Sequence, residues 1–87
     1  MASVLIGLGV IFSPAHVLAL EREARRLPED WSVAAVGSVS TGIFDVRIKA
    51  PHGDASCTFA PGGGDGAVAF LKAMADGKIG LVPRKKE

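Results

Sequence analysis

The chain has 87 residues, enough for one hydrophobic core and too few for a cofactor fold joined to a substrate domain. With 48% hydrophobic and 22% charged residues it reads as globular and not disordered. Formal net charge is +1, but the terminal Arg84-Lys85-Lys86-Glu87 carries +2 of it and residues 1–83 carry −1, which excludes polyanion binding by bulk field. One domain over residues 1–83 and a basic tail over 84–87 follow.

From Val4 the apolar residues Val4, Ile6, Leu8, Val10 and Phe12 alternate with Leu5, Gly7, Gly9 and Ile11. That pattern predicts a strand apolar on both faces, covered by the core on one side and by something else on the other. The glycines argue against a helix there, each costing roughly 1 kcal/mol relative to Ala. The stretch also has the look of a secretory apolar region, but no Lys or Arg precedes residue 22 and ten apolar residues are too few to cross a bilayer. A cytoplasmic protein without a membrane segment is the expectation.

Ser13-Pro14 supplies an N-cap and a first-turn proline. Val17, Leu20, Ala24 and Leu27 then recur at helical spacing, with Glu21, Arg22, Glu23, Arg25 and Arg26 on the wet side, and Pro28 closes the helix. Trp31 to Val39 is small, β-branched and uncharged, which predicts a buried strand. Ser40-Thr41-Gly42 reads as a turn. In the next strand Phe44, Val46 and Ile48 face one way, and Asp45, Arg47 and Lys49 the other. Pro51-His52-Gly53-Asp54 reverses the chain into Ala55 to Ala60, where Ala55, Cys57 and Phe59 alternate with Ser56 and Thr58.

The run Pro61-Gly62-Gly63-Gly64-Asp65-Gly66 precedes a second helix with the stripe Ala67, Phe70, Leu71 and Met74, closed by Gly77. Ile79, Leu81 and Val82 can add a short last strand. The order is therefore β-α-β-β-β-α(-β): an α+β two-layer sandwich with two helices packed on one face of an antiparallel sheet.

The glycine run is the one loop that looks built for chemistry, since backbone N–H groups at a helix start can cradle an anion. Gly63, Gly64, Asp65 and Gly66, with Lys72 beyond, are the candidate ligand-binding residues. Gly63-Gly64-Asp65-Gly66 resembles the GGDG signature of the diacylglycerol kinase and NAD kinase superfamily, in which a glycine-rich turn after a strand approaches a nucleotide. Here Ala67 stands where Thr is expected, and the chain is shorter than that catalytic fold. The simpler reading makes Asp65 the N-cap of the helix and Gly66 its opening residue, an arrangement in which the carboxylate repels phosphate.

The order helix, three strands, helix over Val17 to Asp76 is similar to that of the double-stranded-RNA-binding domain. That family carries a lysine cluster at the start of its second helix, where this chain has Gly66, Ala67, Val68 and Ala69, so the resemblance implies a fold more than it implies RNA binding.

His16, His52 and Cys57 lack the paired short spacing of a structural metal site, so no metal and no cofactor is expected. A lone cysteine also excludes an intrachain disulfide and fits a reducing compartment. Ser38 and Ser40 lack the frame of a nucleophile elbow, leaving no catalytic residue to assign and no enzymatic activity. What remains is a small non-enzymatic interaction or regulatory module of accessory or inhibitor type, a size and composition like those of bacterial or phage proteins. It acts on a protein partner or on itself as a homo-oligomer. Val4, Ile6, Leu8, Val10, Phe12, Arg47 and Lys49 form its expected surface, and ligand or nucleic-acid binding by loop 61–66 is the alternative.

Overall fold

A computed structural model describes residues 2–7, 9–10 and 12–83. Leu8 of the expected interaction surface, Ile11 and the basic tail 84–87 lie outside them. The elements follow the expected order: β1 (Ser3–Ile6), α1 (Pro14–Ala24), β2 (Ser32–Gly37), β3 (Phe44–Ala50), β4 (Gly53–Phe59), α2 (Gly64–Ala75) and β5 (Val82–Pro83). The strands form one sheet in the order β1-β2-β3-β4-β5.

The sheet is mixed where an antiparallel one is expected from sequence. β2, β3, β4 and β5 pair antiparallel, but β1 pairs parallel to β2, Val4 opposite Val33 and Ile6 opposite Ala35. The cause is α1: a helix between two neighbouring strands returns the chain to the end of the sheet it started from, as in any βαβ unit. β1 is also shorter than the apolar run that predicts it. Gly9 takes φ +89, and Gly37 approaches so closely that a Cβ there would lie 2.8 Å from the Gly9 carbonyl oxygen. The chain after Ile6 therefore loops over the end of β2 instead of extending along it.

Strand alternation sets the layers. Val33 and Ala35 of β2, and Phe44, Val46, Ile48 and Ala50 of β3, are buried beneath the helices. Val33, Phe44, Val46 and Ile48 meet Leu20 and Leu27 from the first helical segment, and Ala67, Leu71 and Met74 from α2, in one core. Both helical stripes thus land where their 3.6-residue spacing directs them.

The helix ends have identifiable causes. Ser13 Oγ accepts the His16 backbone N–H at 3.2 Å, with Pro14 in the first turn of α1. α1 closes at Ala24, ahead of Pro28, because Arg26 and Leu27 bond back to Glu23 and Ala24 in tighter turns. At the end of α2, Gly77 takes φ +74 while Lys78 N–H bonds Ala73 and Gly77 N–H bonds Met74, the paired closure that a left-handed glycine permits. No helix among the described residues is long and apolar enough to cross a membrane.

Candidate functional site

With both helices on one side, the other face of the sheet stands open among the described residues. The register places three rows of side chains on it. Ser3, Ser32, Lys49, Asp54 and Val82 form one, Leu5, Ala34, Arg47 and Ser56 the second, and Val36, Asp45 and Thr58 the third. The face is divided by chemistry. Beyond the serines of the first row its β1–β2 half is apolar, with Leu5 69% and Val36 46% exposed and Ala34 between them.

Its β3–β4 half is polar, and three of its side chains bond one another. The Thr58 hydroxyl donates to Asp45 Oδ1 at 2.6 Å and Arg47 donates to Asp45 Oδ2 at 3.3 Å. Those two donors, Thr58 foremost, hold the Asp45 carboxyl below its ordinary range. An open groove of about 380 Å³ runs past Arg47, Lys49, Asp54, Ser56 and Val82 toward β5.

The residues that the sequence marks as an interaction surface are divided by the same alternation. Arg47 and Lys49 are exposed on the open face. Val4, Val10 and Phe12 pack against the core, and Ile6 is half-buried on the helix side. Phe12 is partly buried, its ring 5.2 Å from that of Phe44 and 6.3 Å from that of His16. The outward residues of this region have the opposite parity: Leu5 on β1, and Ala34 and Val36 on β2. The signal for them is present in the sequence, since both parities of the first strand are apolar, but alternation alone does not say which parity meets the helices.

The glycine loop is positioned by packing. α2 begins at Gly64 with Gly63 as its N-cap residue, so Asp65 lies in the first turn and caps nothing with its side chain, contrary to the sequence expectation. Its carboxylate reaches instead to α1, where His16 Nε2 donates to Asp65 Oδ1 at 2.8 Å while His16 Nδ1 lies 3.1 Å from Ser13 Oγ.

The glycines are seats for rings. A Cβ on Gly64 would fall 2.5 Å from His16 Nδ1, and one on Gly66 3.0 Å from Phe59 Cδ1. A Cβ on Gly63 would fall 2.9 Å from the Ala60 carbonyl oxygen, and Gly62 needs its glycine for φ +81. Phe59 in turn stacks on Phe44 at 5.3 Å and meets Phe70 edge-on at 6.3 Å. Lys72 is exposed two turns further along α2, roughly 12 Å from the helix start, so the fold does not bring it to the loop.

Among the described residues no group of three His, Cys, Asp or Glu side chains could hold a metal ion. His52 lies edge-on to Trp31 at 6.0 Å, and the half-buried Cys57 is a free thiol in β4. Ser38 Oγ and Ser40 Oγ bond each other at 3.0 Å across the exposed β2–β3 turn, and neither histidine bonds them. Comparison of the chain with protein-family models, with curated proteins and with solved structures finds no match.

Proposed function

We propose that this chain is a non-enzymatic protein-interaction module whose binding surface is the β1–β2 side of the sheet. The observation that carries the reading is the coincidence of two unsatisfied features at Leu5. It stands 69% exposed in the apolar half of the open face, and it belongs to an edge strand. An apolar patch and an uncovered edge each favour association with another polypeptide, and here they are continuous. The free Cys57 thiol and the absence of any second cysteine fit action in the cytoplasm.

Ligand or nucleic-acid binding through loop 61–66 has less in its favour. The element order from α1 to α2 is that of the double-stranded-RNA-binding domain, but the start of α2 presents the Asp65 carboxylate, already engaged by His16, where that family presents lysines.

A photo-reactive amino acid placed at position 5 or 36, with positions 72 and 78 as exposed controls, tests the reading in cells. Adducts to polypeptide chains concentrated at 5, at 36 or at both support it. Adducts at 72 or to nucleic acid, with none at 5 and 36, overturn it.

A further inference from the structure

We infer that the partner of this surface is a second copy of the chain, joined through antiparallel pairing of β1 with β1 about a two-fold axis passing beside Leu5. The inference rests on the interaction reading above and names its partner. It begins with the backbone. Gly7 N–H bonds the Ala35 carbonyl at 2.8 Å, so the odd residues of β1 direct their backbone groups toward β2. The N–H and C=O groups of Val4 and Ile6 therefore point away from the sheet, and no hydrogen bond satisfies them among the described residues.

Those two residues are their own complement. With Leu5 opposite Leu5, Val4 of one copy faces Ile6 of the other, and each such pair exchanges two N–H···O=C bonds, giving four across the seam. Parity agrees. Val4 and Ile6 both lie on the helix side and Leu5 on the open side, so this register pairs like faces with like, whereas a one-residue slip would set Val4 against Leu5.

The side chains agree as well. A groove of about 280 Å³ lies below the edge, lined by Ala2, Ser3, Val4, Ile6 and Glu21, and the Val4 and Ile6 side chains of the second copy arrive beside it. Glu21 shares its flank of α1 with Leu18 and Arg25, by helical spacing. Leu18 is 63% exposed, and neither Glu21 nor Arg25 has an ion-pair partner among the described residues. The two-fold sets the α1 helices antiparallel near Glu21, so that Arg25 of one copy lies toward Leu18 of the other.

The opposite edge of the sheet differs. β5 is two residues long and ends in Pro83, devices that blunt an edge, while Ser3-Val4-Leu5-Ile6 contains neither charge nor proline.

Sedimentation equilibrium over a concentration series, combined with cysteine cross-linking in a Cys57→Ser background, tests the inference. The non-hydrogen-bonded Leu5 pair has its Cα atoms about 4.5 Å apart, within disulfide reach. Leu5→Cys is expected to give a disulfide-linked dimer under mild oxidation, with Val36→Cys and Val82→Cys linking at least tenfold more slowly. Leu5→Lys is expected to sediment as a monomer with an unchanged far-UV circular dichroism spectrum.

Faster linkage at Val36 or Val82, or a wild-type chain that stays monomeric throughout the series, overturns the pairing. A monomeric wild type that still gives adducts to a different polypeptide at position 5 retires the second copy and leaves the interaction reading standing. Loss of adducts at both 5 and 36 retires both.

Discussion

His16 Nε2 lies 2.8 Å from Asp65 Oδ1, a contact across 49 residues of chain that ties the first turn of α1 to the first turn of α2. The Asp65 carboxylate is fully exposed and the imidazole 30% exposed, so solvent screens the bond and it contributes little by itself. Its importance is steric: it seats the ring over Gly64.

That seat predicts a change of sign. Gly64→Ala in the wild-type chain places a methyl group 2.5 Å from His16 Nδ1 and displaces the ring. A loss of about 1–2 kcal/mol is expected, the cost of overpacking less the gain from better helix propensity. In a His16→Ala background the methyl group has room, and the same change is expected to stabilise by up to about 1 kcal/mol. Urea unfolding of the four proteins in this double-mutant cycle measures the difference. Equal costs in both backgrounds would show that the ring is not what requires glycine.

The β3 alternation, both helical stripes, the Ser13 cap and the Gly77 closure are local patterns, and each reads from a window shorter than a dozen residues. The glycine run misleads because its cause is not local. Gly64 answers to His16 and Gly66 to Phe59, and nothing near residue 64 announces either ring. β1 is ambiguous for a similar reason: Val4 and Leu5 are both apolar, and which one faces the helices is decided by the register with Val33 and Ala34. Which side chains of β1 and β2 face outward is therefore not legible from alternation alone.

Two leucines separate core from surface. Leu71 is completely buried in α2, and Leu71→Ala is expected to cost about 2–5 kcal/mol in chemical denaturation. Leu5→Ala removes the same atoms from a side chain that is 69% exposed, and is expected to stay within about 0.5 kcal/mol when measured on the monomer at high dilution. A loss above about 2 kcal/mol at position 5 would mean that Leu5 is a core residue and not an outward one.

Acid should weaken the fold through two carboxylates. The Thr58 hydroxyl and then Arg47 lower the Asp45 pKa, and Asp76 is lowered chiefly by its hydrogen bond to Arg26, which joins α2 to the turn after α1. A carboxyl whose folded pKa lies below its unfolded value of about 3.9 contributes stability that is complete above that value and is lost as pH falls through the folded pKa. Stability is therefore expected to be level from neutral pH to about 5 and to decline below about 4. Asp45→Asn and Asp76→Asn should each flatten that acid limb. Thermal unfolding between about pH 2 and 7, which spans carboxylate titration, checks it. An unchanged slope in both variants would count against these contacts.

Gly53 holds β5 to the sheet. Among the described residues β5 pairs through Gly53 opposite Pro83 and Asp54 opposite Val82, and a Cβ on Gly53 would lie 2.7 Å from the Val82 carbonyl oxygen and 3.1 Å from the Leu81 Cβ. The first of these is backbone and cannot rotate away. Gly53→Ala is therefore expected to release β5 and lift Leu81 from its packing against the core, at about 1–3 kcal/mol. Because Ala50 and Gly53 close the β3–β4 hairpin independently of β5, that hairpin should persist. Amide chemical shifts report the two regions separately: large changes at Leu81 and Val82 with small ones at Val46 and Cys57 are expected. Uniform changes across β3 and β4 would mean that Gly53 serves the hairpin and not the attachment of β5.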